Sequence, residues 1–312
     1  MKVLVTGASG FIGQEICERL VEKGADVVVL SRDAERAKRE IGLPVEAYDW
    51  DPALELPPRE AFNGVTGVIH LAGESVAEGR WTKAKRKRIL ESRTKSTAHL
   101  VDAMKQYGEN IQSFVCASAI GFYSERGDEI LGESASSGEG FLADVCEAWE
   151  AEAAKADGFT RRVSIRIGMV LGHGGALQKL LPIFRLGLGG PIGNGKQWMS
   201  WIHVKDLAGL FLHCLNNAEV RGPVNGVAPH PVTNKEFTKS LASALGVPAF
   251  LPVPTLALRI AMGQMSELAT KSQRVQAAKA VDSGYSFEYG TIDAAFAEIC
   301  PSKKKSLKRS YA

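Results

Sequence analysis

Lys2-Val3-Leu4-Val5-Thr6 runs directly into Gly7-Ala8-Ser9-Gly10-Phe11-Ile12-Gly13. An apolar strand, a glycine-rich turn and a helix start in that order constrain the fold more than any other stretch. The first two glycines allow a sharp turn and a close approach of the backbone to a bound group. Gly13 lets the helix pack against the strand. A helix opening near Phe11 points its free N–H groups and its positive dipole end at whatever lies over the turn. With a helix and a second strand following, the spacing predicts a dinucleotide pyrophosphate site. Gly7, Ser9, Gly10, Phe11, Ile12 and Gly13 are its contact residues. The competing reading is a tight structural turn without a ligand.

The remaining sequence fits that start. Over 27–30 the chain reads Val-Val-Val-Leu, a fully apolar second strand. Further strands are expected over 44–49, 68–71, 113–118 and 163–167, with helices over 83–107 and 139–156 between them. Strands alternating with helices predict a parallel sheet with crossover helices. After Gly168 glycine becomes frequent and the alternation stops, which predicts loops and short elements of a second lobe. There a strand or extended segment is expected over 198–203 and a helix over 204–215. Thr233 and Glu236 form a capping-box pattern at the start of a helix over 233–245. Helices over 256–262, 267–280 and 292–299 and a strand over 285–289 complete the reading. The expected architecture is α/β: a Rossmann, doubly wound parallel sheet with a smaller α+β C-terminal substrate lobe. Residues 1–168 form the nucleotide-binding domain, with 198–228 returning to it. Residues 169–300 are mainly the C-terminal lobe, and 301–312 a basic, disordered tail.

Composition narrows the partners. The 312 residues carry 38 basic and 35 acidic side chains, a net charge of +3, too even a balance to point to nucleic acid. No apolar run approaches the ~20 residues of a membrane span, and no leader segment is expected. Cys17, Cys116, Cys146, Cys214 and Cys300 make no Cys-x-x-Cys pair and read as reduced core residues of a cytoplasmic protein. The expected partner is a small-molecule substrate, and the chain is a monomer or a homodimer.

Two positions refine the ligand. The second strand ends in Leu30-Ser31-Arg32, with no acid at its tip to hold a ribose 2′-hydroxyl. Arg32, with Ser31 beside it, suits the 2′-phosphate of NADP. Alternatively, Arg32 opens a solvated helix with Arg36, Lys38 and Arg39. Asp49 ends the third strand, where it can accept from an adenine amino group, and Trp50 can pack beside it. On the 83–107 helix, Arg93 falls on the face of Ile89, Ser96, Leu100 and Met104. A charge on that face needs a partner. The candidates are a carboxylate such as Glu74 and an anionic ligand in the cleft.

The chain resembles the extended short-chain dehydrogenase/reductases of the NAD-dependent epimerase/dehydratase superfamily. Within them it is similar to an epimerase-like subgroup with a characteristic C-terminal extension. The resemblance lies in Thr6 to Gly13, His70-Leu71-Ala72-Gly73-Glu74, Arg80-Trp81, Ser92-Arg93, Ser118-Ala119-Ile120-Gly121-Phe122-Tyr123, Trp201 to Leu207, and the extension from Pro252 to Phe287. It implies a Rossmann domain that binds a nicotinamide cofactor, with Leu71, Ala72, Gly73 and Glu74 skirting it. It also implies a mechanism in which a serine or threonine holds the substrate oxygen and a Tyr-x-x-x-Lys pair moves the proton, the lysine lowering the tyrosine pKa.

Ser118 stands where that serine belongs, but no tyrosine in the chain has a lysine four residues later. The counterparts of the pair are Phe141 and Val145, or Leu142 and Cys146 if the register slips by one. Tyr123 is then the candidate acid, with Arg93 as a cation near it. Glu74 and Cys146 are further candidates. The reading that follows is an NADP(H)-binding, epimerase-like protein or oxidoreductase, with Ser118 and Tyr123 as catalytic residues. A non-catalytic NADPH sensor or scaffold is the alternative. A weaker third reading is hydride donation to a flavin or quinone.

Overall fold

In the computed structural model, described over residues 1–301, β1 (Lys2–Thr6) buries Val3 through Thr6 completely. After the glycine turn come α1 (Phe11–Glu22), β2 (Asp26–Ser31), α2 (Ala34–Ile41), β3 (Glu46–Asp49), β4 (Gly67–His70), α3 (Lys83–Tyr107) and β5 (Ser113–Ala119). Next are β6 (Ile130–Leu131), α4 (Phe141–Ala154), β7 (Arg161–Ile167), β8 (Met169–Leu171) and α5 (Gly175–Arg185). β9 (Trp198–Met199), β10 (Trp201–His203), α6 (Val204–Asn216), β11 (Gly222–Gly226), β12 (Val232–Thr233) and α7 (Asn234–Leu245) follow. The chain ends with α8 (Thr255–Met262), α9 (Glu267–Thr270), β13 (Arg274–Val275), α10 (Ala278–Asp282) and α11 (Ile292–Ile299).

Seven strands form one parallel sheet in the order β11-β7-β5-β4-β1-β2-β3. The chain builds outward from β1 through β2 to β3, then returns to lay β4 on the other side of β1. That reversal makes the β1/β4 boundary the topological switch point, where ligands of such sheets bind. The register puts Thr6 opposite both Leu30 and His70, so the loops after β1, β2 and β4 emerge along one edge. α1 packs beside α6 and α3 beside α4 as two helix layers. The near-continuous apolar character of β1, β2, β4 and β5 is what burial on both faces requires.

A second core covers that edge from the C-terminal side. It unites Leu171, Leu177, Phe184, Trp201, Phe237 and Phe296. The capping box at Thr233 and Glu236 is present.

Three local expectations are corrected. The glycine-rich stretch after Gly168 contains an eleven-residue helix, α5, which tolerates Pro182 inside it. No single helix spans 267–280; α9, β13 and α10 replace it. There Ser200 Oγ donates to the Gln273 carbonyl and accepts from the Val275 N–H, while Arg274 and Val275 pair with Ile130 and Leu131. These long-range bonds override local helix propensity. Residues 285–289 are irregular, because Asp206 draws their backbone N–H groups away from any ladder. The expected basic tail, beyond Pro301, lies outside the described residues.

Candidate functional site

The turn between β1 and α1 is closed tightly. Gly7 has φ of 69°, in the left-handed region that favours glycine, and a Cβ there would press on the backbone of Leu71 and Ala72. A Cβ on Gly13 would overlap the Gly7 carbonyl oxygen and the Ala8 backbone. Gly10 is the N-cap of α1, and no side chain caps the helix. No acid occupies its first turn. The first-turn N–H groups therefore face outward beside exposed Gly10 and half-buried Ser9, Phe11 and Ile12. An uncapped helix N-terminus of this kind can receive an anion.

A neutral histidine fastens the turn to its neighbour. Thr6 Oγ1 accepts from the N–H groups of Leu71 and Ala72, both at 3.2 Å, so its own proton goes to His70 Nδ1 at 2.7 Å. Nε2 of His70 then carries the ring proton and donates toward Thr97 at 3.1 Å and Ser96 at 3.2 Å. Burial, with a smaller push from the Arg93 charge, lowers the His70 pKa to about 3, so the ring is uncharged at neutral pH.

At the tip of β2 the two aspartates are occupied. Asp33 accepts from Arg36 N–H and Asp49 from Ala34 N–H, both at 2.8 Å, so together they cap α2. Asp49 thus has a structural task that its position in the sequence did not reveal; its second oxygen makes no bond with the described residues. Ser31 Oγ accepts weakly from Asp33 N–H at 3.3 Å. Arg32 is exposed, with no ion-pair partner among the described residues. Trp50 does not flank the ligand edge: its indole is buried in the core and donates to the Glu55 carbonyl at 2.8 Å.

The loop after β4 meets α3. Glu74 N–H donates to Ser92 Oγ, and its carboxylate pairs with Lys85 at 2.7 Å. The Lys85 hydrogen bond is the main reason that the Glu74 pKa falls below the usual carboxylate range. Glu74 is therefore not the carboxylate partner of Arg93. Arg93 Nη1 donates instead to two backbone carbonyls, of Glu74 and Ile89, each at 3.0 Å. Its guanidinium lies against Gly73, where a Cβ would come within 3.2 Å of Cζ, and 5.0 Å from the ring centre of Trp149.

Ser118 and Tyr123 point inward, not to the ligand edge. Ser118 is 2% exposed and donates to Glu150 at 2.7 Å. Arg166 grips both oxygens of Glu150 at 2.8 Å and donates to Tyr123 Oη at 2.9 Å. Tyr123, fully buried, gives its own proton to Asn225 at 2.7 Å. Burial outweighs the Arg166 charge, so the phenol pKa is raised. The cation beside Tyr123 is Arg166, not Arg93. Neither hydroxyl is available as the substrate holder or acid expected from sequence. The sequence signals for their partners were a charge, Arg166, between Ile165 and Ile167 on β7 and a glutamate on α4.

The network also settles which residues face the end of β5. Glu150 reaches Ser118 from α4, and four and eight residues earlier on that face stand Cys146 and Leu142. Both would touch a Cβ placed on Gly121. Val145 packs elsewhere, with Trp81 and Ile89, and the Phe141 ring lies against Trp81 and Arg86. The slipped register is the one that faces the site. Burial, then the Glu150 charge, pushes the Cys146 thiol up to about 11, so it is not a thiolate at neutral pH.

The C-terminal lobe rims the edge. The Phe11 ring fills the space that side chains on Gly172 and Gly174 would need. Lys179 donates to the Ala77 carbonyl, and Arg80 to that of Ile260. A cavity of about 840 Å³ opens beside α8 and α9, lined by Glu125, Thr255, Arg259, Gln264 and Lys271 among others. A second, of about 510 Å³, lies between α6 and the 285–288 segment, lined there by Asp206, Tyr285 and Glu288. Residues 167–205 and 237–266, which supply much of the lobe, contain no aspartate or glutamate. Among the described residues no cluster of metal-ligating side chains occurs, and no helix is long and apolar enough to cross a membrane.

Known proteins resemble this chain along nearly its full length. The profile of the "NAD dependent epimerase/dehydratase family" matches residues 3–225, and a "Domain of unknown function (DUF1731)" matches 253–299. The "Epimerase family protein SDR39U1 homolog, chloroplastic" of Arabidopsis thaliana is 36% identical, across 96% of this chain and 86% of that protein. "Epimerase family protein YfhF" of Bacillus subtilis is 35% identical, across 97% of this chain and 99% of its own. The crystal structure of human epimerase family protein SDR39U1, isoform 2 with NADPH, superposes with a TM-score of 0.85 at 32% identity, covering 97% of this chain and all of that one. The chain belongs to the NAD dependent epimerase/dehydratase family, with the C-terminal extension that the subgroup carries.

Proposed function

We propose that this chain binds NADP(H) over the ends of β1, β2 and β4. The observation that carries the reading is the uncapped N-terminus of α1 above a turn whose glycines leave no room for Cβ atoms. A pyrophosphate satisfies those N–H groups and the dipole end together. Exposed Arg32, free of a carboxylate partner among the described residues, is the donor for the 2′-phosphate, with Ser31 beside it. Asp49 keeps one oxygen for the adenine. Leu71, Ala72 and Gly73 line the path toward the nicotinamide, the first two held by Thr6. The human relative crystallised with NADPH supports the same cofactor.

The cofactor, when bound, supplies or accepts hydride. The substrate side is the region between the α4 N-terminus and the extension, where the 840 Å³ cavity lies. Its lining sets Arg259 and Lys271 against Glu125 and Glu267, beside Thr255 and Gln264, which favours a hydroxyl-rich small molecule. Five buried thiols without disulfides suit a reducing compartment such as the cytoplasm.

Two readings of the chemistry remain, an oxidoreductase or epimerase and a non-catalytic NADPH sensor or scaffold. The second is favoured by one observation: Leu142 and Cys146 line the face where a proton-moving pair belongs, and Ser118 and Tyr123 are spent on structure. Titration with NADPH, followed by nicotinamide fluorescence, tests the shared part. The wild type binds and Gly10→Asp, which aims a carboxylate at the helix N-terminus, does not. Equal binding by both would contradict the site. Turnover across carbonyl and nucleotide-sugar panels separates the two readings: any NADPH oxidation or epimerised product sinks the sensor.

A further inference from the structure

α8 is an apolar helix left uncovered by the described residues: none of its eight residues is buried. A helix this short is marginal in water unless it packs against something. Thr255 and Arg259 line the 840 Å³ cavity. Leu256 and Ile260 stand one step round the helix, outside that lining, and are largely exposed.

The exposed apolar surface continues beyond the helix. Phe250 and Leu251 precede α8, and Leu186 and Leu188 follow α5. With Leu256 and Ile260, each of these side chains is at least half exposed. The two segments are joined. Val253 N–H donates to the Pro191 carbonyl at 2.8 Å, and Gly193 N–H to that of Val253 at 2.9 Å. A Cβ on Gly190 would overlap the Leu251 carbonyl. An exposed apolar face shared by two joined segments marks an interaction site.

Charge indicates the occupant. Residues 167–205 and 237–266 hold six of the 38 basic side chains and none of the 35 acidic ones, an excess larger than the net charge of +3. A second copy seated on this face across a two-fold axis would oppose like charges. A protein partner needs a polar rim with about one hydrogen bond per 100–200 Å². Over 183–193 and 248–262 the only polar side chains are Arg185, Thr255 and Arg259. A lipid surface needs only apolar side chains among cations, with no directional bonds.

We propose that this face docks on an anionic lipid bilayer as a peripheral contact. Leu186, Phe250, Leu256 and Ile260 enter the headgroup layer, and Arg185 and Arg259 meet the lipid phosphates. The contact is independent of the NADP(H) reading. It sets the 840 Å³ cavity, lined in part from the same helix, beside the bilayer.

The test is co-sedimentation of the intact chain with vesicles of phosphatidylcholine alone and of phosphatidylcholine mixed with phosphatidylglycerol. Wild type should bind the mixed vesicles, and roughly tenfold or more weaker those without the anionic lipid. Leu256→Ser with Ile260→Ser should lower binding to the mixed vesicles by roughly tenfold or more. Leu186→Ser with Leu188→Ser serves if that variant does not fold. Arg185→Gln with Arg259→Gln should weaken binding and flatten its salt dependence. Leu54→Ser, at an exposed leucine in the loop after β3, should change nothing. No binding to mixed vesicles, or an equal loss in Leu54→Ser and the α8 variant, overturns the inference. So does a wild-type dimer in sedimentation equilibrium that the α8 variant dissolves, which would give the face to a second copy. Binding to polyglutamate without binding to vesicles would assign it to an acidic protein and likewise overturn the inference.

Discussion

At the scale of single residues, His70 gives the clearest pH signature. Burial keeps its ring neutral, with a pKa of about 3 against an ordinary 6.5. A folded-state pKa below the unfolded one means that its contribution is complete above about pH 6.5 and is lost as pH falls toward 3. The loss approaches about 1.4 kcal/mol per pH unit within that window. Urea midpoints for wild type and His70→Gln should therefore converge as pH falls from 7 to 4.5. Parallel curves would show that His70 does not set the slope. Ser118 and Tyr123 mark the limit of legibility at this scale. Their hydroxyls and their nearness to the ligand edge could be read from the sequence. Their partners could not, since Glu150, Arg166 and Asn225 lie 32, 43 and 102 residues away from the hydroxyl each engages. The missing Tyr-x-x-x-Lys pair was legible because i, i+4 spacing is local; which of two registers faces the site needed the Glu150 contact.

Elements were legible where burial imposes a period or a cap marks an end. α3 and α11 occupy their expected residues, and the α7 capping box is present. α5 was hidden by the glycines around it and by Pro182, and the 267–280 stretch was misread because a ladder with β6 overrides its helical sequence. At the β1–α1 junction, Gly13→Ala must displace backbone and should cost about 3 kcal/mol or more. Gly24→Ala, in a positive-φ turn with open space around it, should cost only about 1–2 kcal/mol. Chemical denaturation of the two variants checks the contrast; equal losses would mean that the junction is not tightly packed. The Arg166–Glu150 pair joins β7 to α4. Arg166→Met strands a buried carboxylate, so it should destabilise by about 3–5 kcal/mol. Arg166→Met with Glu150→Leu should cost much less, which a double-mutant cycle measures.

At the scale of the whole molecule, the extension is fastened to the sheet through the start of α6. Asp206 accepts from the N–H groups of Glu288 and Tyr289 at 2.7 and 2.9 Å. His203, kept neutral chiefly by burial, donates to Glu298 at 3.2 Å. Asp206→Ala should therefore accelerate hydrogen exchange over 285–299 and leave β1 to β5 protected. A uniform increase would show that the contact supports the whole fold, not this segment. Six strands of the parallel sheet follow from local patterns in the first 168 residues, whereas its edge strand β11 was not expected from sequence. The lobe above them is assembled by contacts between distant residues, so its substrate chemistry was the least legible part.

We propose that the glycine turn and Arg32 together select NADP(H). Dissociation constants for NADPH and NADH, measured on wild type and Arg32→Asp, are the decisive check. Wild type should prefer NADPH by roughly tenfold or more, from charge-assisted bonds to the 2′-phosphate. Arg32→Asp should lose that preference while NADH binding changes little. Equal affinity of the wild type for the two cofactors, or an equal loss of both in the variant, would contradict it.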